Sequence, residues 1–467
     1  MNFDEYQTEK AARQSMVVSG PIFSTMMRLA LPTIGVLIAQ TLVNVAETYY
    51  VSYLGSSALI GVSLVFPLWM LMTMMSAGGI GGGVASAVAR AVGAGREEDV
   101  NALTFHSVVL ALFLGIVFTL FFLGPGNYLY AAMGGSGEAL HAAQLYSVYV
   151  FTASIPIWIV NLLSAVLRGT GNVKIPAIVT LAGALILIPL SPLLIFGLGP
   201  FKGFGLAGAG IAINIYYWVA ALVLLRYLSR GGAGIRLRIG RLNWSLFREI
   251  LRVGILAALG AIQLNIMVLL VTGSVSKFGE DAIGGFGIAS RLDYMMIPVL
   301  FGLGTAIVTM VGINVGAGKI ERAKRIAWIG VAVNVVFTEV IGLMVAIFPG
   351  AWLGLFTHNE SILITGKLYL QIVAPFFAAN GIVFALGFAA QGSGYMGRIF
   401  IAGLIRLLVA AGGGWIAVEF YGVGQAGLFV VILTAMLIAA IVSIIIARST
   451  AMWPDRHNHS QLKAIPD

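Results

Sequence analysis

Long apolar runs dominate the 467 residues of this chain, separated by short polar connections, and most exceed the roughly 20 residues that cross a bilayer. Lipid offers backbone groups no hydrogen-bond partner, so each run must satisfy its own amides and carbonyls as a helix. Hydrophobic residues make up 59% of the sequence and charged residues only 10%, too little charge to clothe a water-soluble domain of this length. The runs predict twelve transmembrane helices, over 26–52, 59–91, 102–123, 142–167, 175–198, 206–228, 250–276, 283–315, 326–348, 363–391, 399–420 and 427–447. The expected fold class is all-α integral membrane.

The chain also repeats itself. Gly55, Ala58 and Gly61 recur 224 residues later as Gly279, Ala282 and Gly285; Val92-Gly93-Ala94-Gly95 recurs 223 residues later as Val315-Gly316-Ala317-Gly318; and Gly169-Thr170-Gly171 recurs at the same offset as Gly392-Ser393-Gly394. A near-constant spacing across three dissimilar motifs indicates a duplicated half. Six helices per half is an even number, so both halves start on the same side and are related by a pseudo-two-fold along the membrane normal. The expected organisation is an N-terminal six-helix lobe (1–228), a basic cytoplasmic linker (229–249) and a C-terminal six-helix lobe with a polar tail (250–467).

The net charge of +9 is distributed by topology. Lys and Arg precede the first helix and follow every second one, with Lys202, Lys277 and Lys367 in the opposite loops. This is the positive-inside pattern and predicts a multi-pass protein of the bacterial inner membrane with both termini cytoplasmic. The stretch from Arg226 to Arg252 is the most basic and is expected to meet lipid headgroups, not nucleic acid. Cys is absent, and His106, His141, His358, His457 and His459 form no metal-ligand spacing, so no cofactor or metal is expected. The leader with Asp4, Glu5, Glu9 and Lys10 does not read as a cleavable signal. No GxxxxGK[ST] box points to ATP, and no enzymatic chemistry is evident.

The segment ALPTIGVLIAQTLVNVAETYYVSYLGSSALIGVS, the two VGAG boxes, LRGTGN after the fourth helix and GLAGAG opening the sixth resemble the multidrug and toxic compound extrusion (MATE) family in order and spacing. The resemblance implies a cation-coupled exporter of organic, often cationic, compounds. It also implies an Asp in the first helix, where this chain has Glu47, and an Asp-Pro in the fifth, where it has Ser191-Pro192, with Leu187 in place of an Asn. NorM-type members carry acids in the seventh and tenth helices; this chain has none there, which makes it closer to the DinF type.

Glu47 is the most telling residue. A carboxylate inside an apolar helix costs several kcal/mol unless protonated or paired, and such groups mark ion or substrate pathways. Gln40, Asn44 and Glu47 recur at i, i+4 and i+7, a polar stripe on one face of the first helix. In the second half Gln40 becomes Gln263, but Asn44 becomes Met267 and Glu47 becomes Leu270 or Val271. An ion site needed once explains that asymmetry. With little carboxylate to build a sodium shell, H+ is expected over Na+ as the coupling ion.

Substrate contacts are expected from Trp69, Met70 and Met72, which fall in register with Asp293, Tyr294 and Met296, and from Arg291. Methionine and aromatic rings suit an adaptable surface, although lipid-facing or packed methionines fit the same pattern. Arg291 and Asp293, two apart, do not face each other on a helix and need separate partners. Glu339 divides evenly between a packed contact and a functional group. The reading is a monomeric antiporter for small organic substrates. The alternatives are a flippase for lipid-linked or polysaccharide precursors and, from another class, a non-transporting receptor or assembly factor.

Overall fold

The computed structural model describes residue 12 and residues 14–454; the acidic leader, His457 and His459 lie outside the described residues. The structure is almost entirely helical. The first half comprises α1 (Ile22–Ser52), α2 (Ser56–Gly93), α3 (Glu97–Leu123), α4 (Gly137–Thr152 and Ser154–Gly169), α5 (Lys174–Phe196) and α6 (Leu206–Ser229). The second comprises α7 (Trp244–Phe278), α8 (Glu280–Gly316), α9 (Ile320–Ile347), α10 (Glu360–Phe376 and Ala378–Ser393), α11 (Met396–Glu419) and α12 (Gln425–Arg448). Counting α4 and α10 as one span each gives twelve, each within two helical turns of its expected limits. α7 begins early because the Asn243 side chain accepts a hydrogen bond from the Ser245 amide (2.9 Å), capping the helix inside the linker. The linker is itself held to α3, where Asn101 Oδ1 accepts from the Arg236 amide and His106 Nε2 from the Asn243 amide, both at 2.8 Å.

The repeated glycines have one conformational cause. Gly55 and Gly279 have φ of 103° and 101°, Gly95 and Gly318 71° and 74°, Gly171 and Gly394 80° and 87°. A side chain is strained in that region, so each turn demands glycine in both copies. At the last two pairs the turn closes the preceding helix with the same wide hydrogen bond. The amides of Arg96, Lys319, Asn172 and Tyr395 donate to the carbonyls of Ala91, Asn314, Leu167 and Ala390 at 2.8–3.0 Å.

Among the described residues two helices break by more than 40°, at equivalent places: α4 by 45° around Ala153 and α10 by 54° around Phe377. Pro156 and Pro375 lie beside these breaks, each lacking the amide that would carry the helix through. Pro32, Pro67, Pro189, Pro192 and Pro298 sit inside continuous helices. Glu339 resolves as a helix cap. Its Oε2 accepts from the Ala378 amide (2.8 Å), the first residue after the α10 break, where a helix N-terminus favours negative charge.

The halves interlock at the end carrying the VGAG turns. Met26, Leu29 and Ala30 of α1 pack in a core with Leu303, Ile307 and Met310 of α8, while Leu246 and Ile250 of α7 pack with Val84 and Val88 of α2. The Ser86 hydroxyl donates to the Gln391 carbonyl, and its repeat-equivalent Thr309 donates to the Arg168 carbonyl at 3.0 Å. Arg90 pairs with Glu249 at 3.1 Å and also donates to Ser86. α2 and α8 touch through their glycines, so closely that a Cβ on Gly93 would lie 2.0 Å from the Ile313 carbonyl oxygen. This end is a sealed floor.

Candidate functional site

Above the floor, a cavity of about 1180 Å³ opens between the halves. Gln40, Asn44, Glu47, Trp69 and Met70 line it from the first half, Arg291 and Tyr294 from the second. Two independent sequence stripes therefore converge on one space. Trp69 is held edge-on to Tyr217, with ring centroids 6.1 Å apart, and Arg291 lies over the ring of Phe356 at 5.9 Å.

Three expected cleft residues are elsewhere. Met72 is fully buried in the first-half core and Met296 in a second-half core, and neither lines the cavity. Asp293 turns into the second lobe, where its carboxylate accepts from Tyr369 Oη and Asn380 Nδ2, both at 3.3 Å. The reason is angular. Repeat register aligns positions between α2 and α8, but the helical period decides which of them face the cleft. On α8 the lining residues are Arg291, Tyr294, Met295, Ile297, Pro298, Val299 and Phe301, with Arg291, Tyr294, Met295 and Pro298 spaced i, i+3, i+4, i+7; on α2 they include Val62, Val65, Phe66, Trp69, Met70 and Thr73. Applying that period to Arg291 excludes Asp293 and Met296, at i+2 and i+5; Met72, at i+3 from Trp69, is turned into the first-half core by packing that the period does not reveal. Other wall residues went unflagged as site residues, among them Tyr146, Asn161, Phe301, Phe388 and Arg406; Gln263, the repeat of Gln40, also lines the cavity.

Glu47 is the one acidic side chain among the described residues lining the cavity. Ser191 Oγ on α5 donates to its Oε2 (2.8 Å), whereas Oε1 is buried without a hydrogen-bond partner among the described residues. Ser191 stands where the MATE resemblance implies aspartate, so a hydroxyl here replaces a second acid. An ionised carboxylate with one orphaned buried oxygen is costly, and a proton on Oε1 removes the charge and leaves Ser191 a weaker, neutral acceptor. Among the described residues no group of three or more His, Asp or Glu side chains gathers to hold a metal ion.

The family model MatE matches residues 32–193 and 257–416, one stretch in each half. The chain belongs to the MatE family. A probable multidrug resistance protein NorM of Thermotoga maritima is 29% identical over 374 residues, covering 79% of this chain and 80% of the relative. A Shewanella oneidensis FAD transporter is 25% identical over 380 residues, covering 79% and 81%. Among solved structures, a MOP superfamily transporter from Pyrococcus furiosus, whose binding pocket is described as of reverse polarity, suggesting a different function, superposes with a TM-score of 0.84. It is 25% identical, with 93% of this chain and 96% of that chain covered. The fold is that of a multi-pass MATE transporter.

Proposed function

We propose that this MatE-family chain is a proton-coupled antiporter that exports organic amphipathic compounds, cations among them, across a bacterial inner membrane, with both termini inside. The relatives' names, a drug-resistance protein and an FAD transporter, support movement of bulky organic molecules. The observation that carries the coupling is Glu47, on the cavity wall with one oxygen bonded to Ser191 and the other orphaned.

With the floor sealed, the cavity communicates with the side opposite the VGAG turns, which the positive-inside pattern makes the exterior. A proton entering there neutralises Glu47 and loosens its charge-assisted bond to Ser191, so α1 is freed to shift against α5 and substrate is discharged. Reopening of the floor exposes Glu47 inward, where the proton leaves. Exchange is coupled because proton affinity differs between the two states. One carboxylate and one hydroxyl are a poor oxygen shell for sodium, which supports H+ and a DinF-type over a NorM-type arrangement.

The test is ethidium efflux from proteoliposomes under an imposed pH gradient or an imposed sodium gradient, with wild type and Glu47→Gln. The pH gradient alone drives the wild type, and Glu47→Gln loses at least about tenfold in rate, the worth of one charge-dependent interaction of about 1.4 kcal/mol. Equal drive by sodium, or an unimpaired Glu47→Gln, overturns the proposal.

A further inference from the structure

The duplicated framework has been charged oppositely in its two halves. Among the described residues lining the cavity, the charged side chains are Glu47 on the first-half wall and Arg291 and Arg406 on the second-half wall. None has a charged counterpart in the repeat: Glu47 corresponds to Leu270 or Val271, Arg291 to Pro67 at the 224-residue offset, and Arg406 to Gly183 at the 223-residue offset. The positive wall is thus an addition to the fold, not a requirement of it.

The two guanidiniums are not equivalent. Arg406 has the Asp293 carboxylate and the Tyr369 hydroxyl as electrostatic neighbours within its own lobe, although it forms no ion pair within 4 Å among the described residues. Arg291 is exposed, rests on the face of Phe356, and forms no ion pair among the described residues. Arg291 lies eleven residues, about three turns, in from the start of α8 at Glu280, on the wall of the cavity. A cation on so apolar a wall favours an anionic partner, and the planar fork of arginine matches a carboxylate or phosphate in two parallel hydrogen bonds. Beside it the wall is aromatic: Phe356 lies under the guanidinium, Trp352 packs on Phe356 at 5.0 Å between centroids, and Tyr294 follows one turn along α8.

We propose that Arg291 is a substrate-binding residue that selects aromatic compounds bearing an acidic group, the acid docking on Arg291 and the ring on the aromatic wall around Phe356. This rests on the exporter reading above and names its preferred substrates: zwitterions and organic acids ahead of simple cations. A zwitterion uses both walls, its cationic end toward the Glu47 side.

The test compares a fluorescent zwitterion, norfloxacin, with its ethyl ester, which keeps the ring and the amine but lacks the acid, in equilibrium binding to the purified full chain. The wild type is expected to bind the acid about tenfold more tightly than the ester. In Arg291→Gln the ratio falls to about one because the acid alone weakens, the unchanged ester affinity showing that the cavity is intact. Arg291→Lys keeps the charge without the fork and retains a preference between the two. Equal or tighter ester binding by the wild type overturns the proposal with no variant needed, and so does a preference that survives Arg291→Gln. The failures are separable: proton-driven ethidium efflux that depends on Glu47 but comes with no acid preference rejects this inference alone, whereas absence of that efflux rejects the exporter reading.

Discussion

Replacing Gly316 by alanine tests the sealed floor. A Cβ there falls 2.1 Å from the Arg90 carbonyl oxygen, 2.9 Å from the Arg90 carbonyl carbon and 3.0 Å from the Ala94 nitrogen. All are backbone atoms, so no side chain can swing aside, and α2 and α8 must separate by about 1 Å to regain ordinary contact. Overpacking of this kind costs about 1–3 kcal/mol. Alanine's better helix propensity returns less than about 1 kcal/mol, since Gly316 is the last residue of α8. A net penalty of about 1–2 kcal/mol falls only on the state with the floor closed, shifting the population toward the open floor about 5- to 30-fold. The chain has no native cysteine, so spin labels on Glu98→Cys and Arg325→Cys report the floor without background. Double electron–electron resonance should show a longer-distance population in Gly316→Ala, and likewise in Gly93→Ala, whose Cβ meets Ile313. Gly287→Ala is the control on the same helix, with nothing within 4 Å of its Cβ. A Gly316→Ala distribution that overlays this control would refute the argument.

Three further outcomes are expected. Ser191→Ala removes the donor to ionised Glu47, worth about 1.5 kcal/mol or more for a charge-assisted bond; efflux at a fixed pH gradient should fall about tenfold with ethidium binding unchanged. Glu339→Ala strips the cap from the second segment of α10 and should cost about 1–2 kcal/mol, read as a lowered melting temperature in detergent with proton coupling intact. Lost coupling in a well-folded Glu339→Ala protein would make that acid functional instead. Arg90→Gln and Glu249→Gln, taken through a double-mutant cycle, should show a coupling of about 1 kcal/mol, modest because the pair is 14% and 25% exposed; zero coupling would remove the ion pair from the floor.

The repeat was readable because its physical cause is local. A turn that holds φ between about 70° and 103° accepts glycine and little else, so Gly55, Gly95 and Gly171 reappear as Gly279, Gly318 and Gly394 whatever the helices between them become. The proline positions were less informative. A missing amide breaks a helix only where neighbours supply new partners, as Glu339 does for α10, and that supply belongs to another segment. Gln40, Asn44 and Glu47 form a stripe legible on one helix, whereas repeat register grouped Trp69, Met70 and Tyr294, which line the cavity, with Met72, Asp293 and Met296, which do not, because register aligns positions without saying which face meets the cleft.

Apolar length and lipid's want of hydrogen-bond partners determined by themselves that this chain is a bundle of twelve helices, and glycine spacing determined that the bundle is double. Only the tertiary structure decided that Ser191 meets Glu47 across 144 residues, that Asp293 turns into its lobe while Arg291 faces the cleft, and that the halves close through Gly93 and Gly316. Backbone needs and turn strain are set within a few residues of chain, but the partner of a buried charge is set by how distant helices rotate and pack.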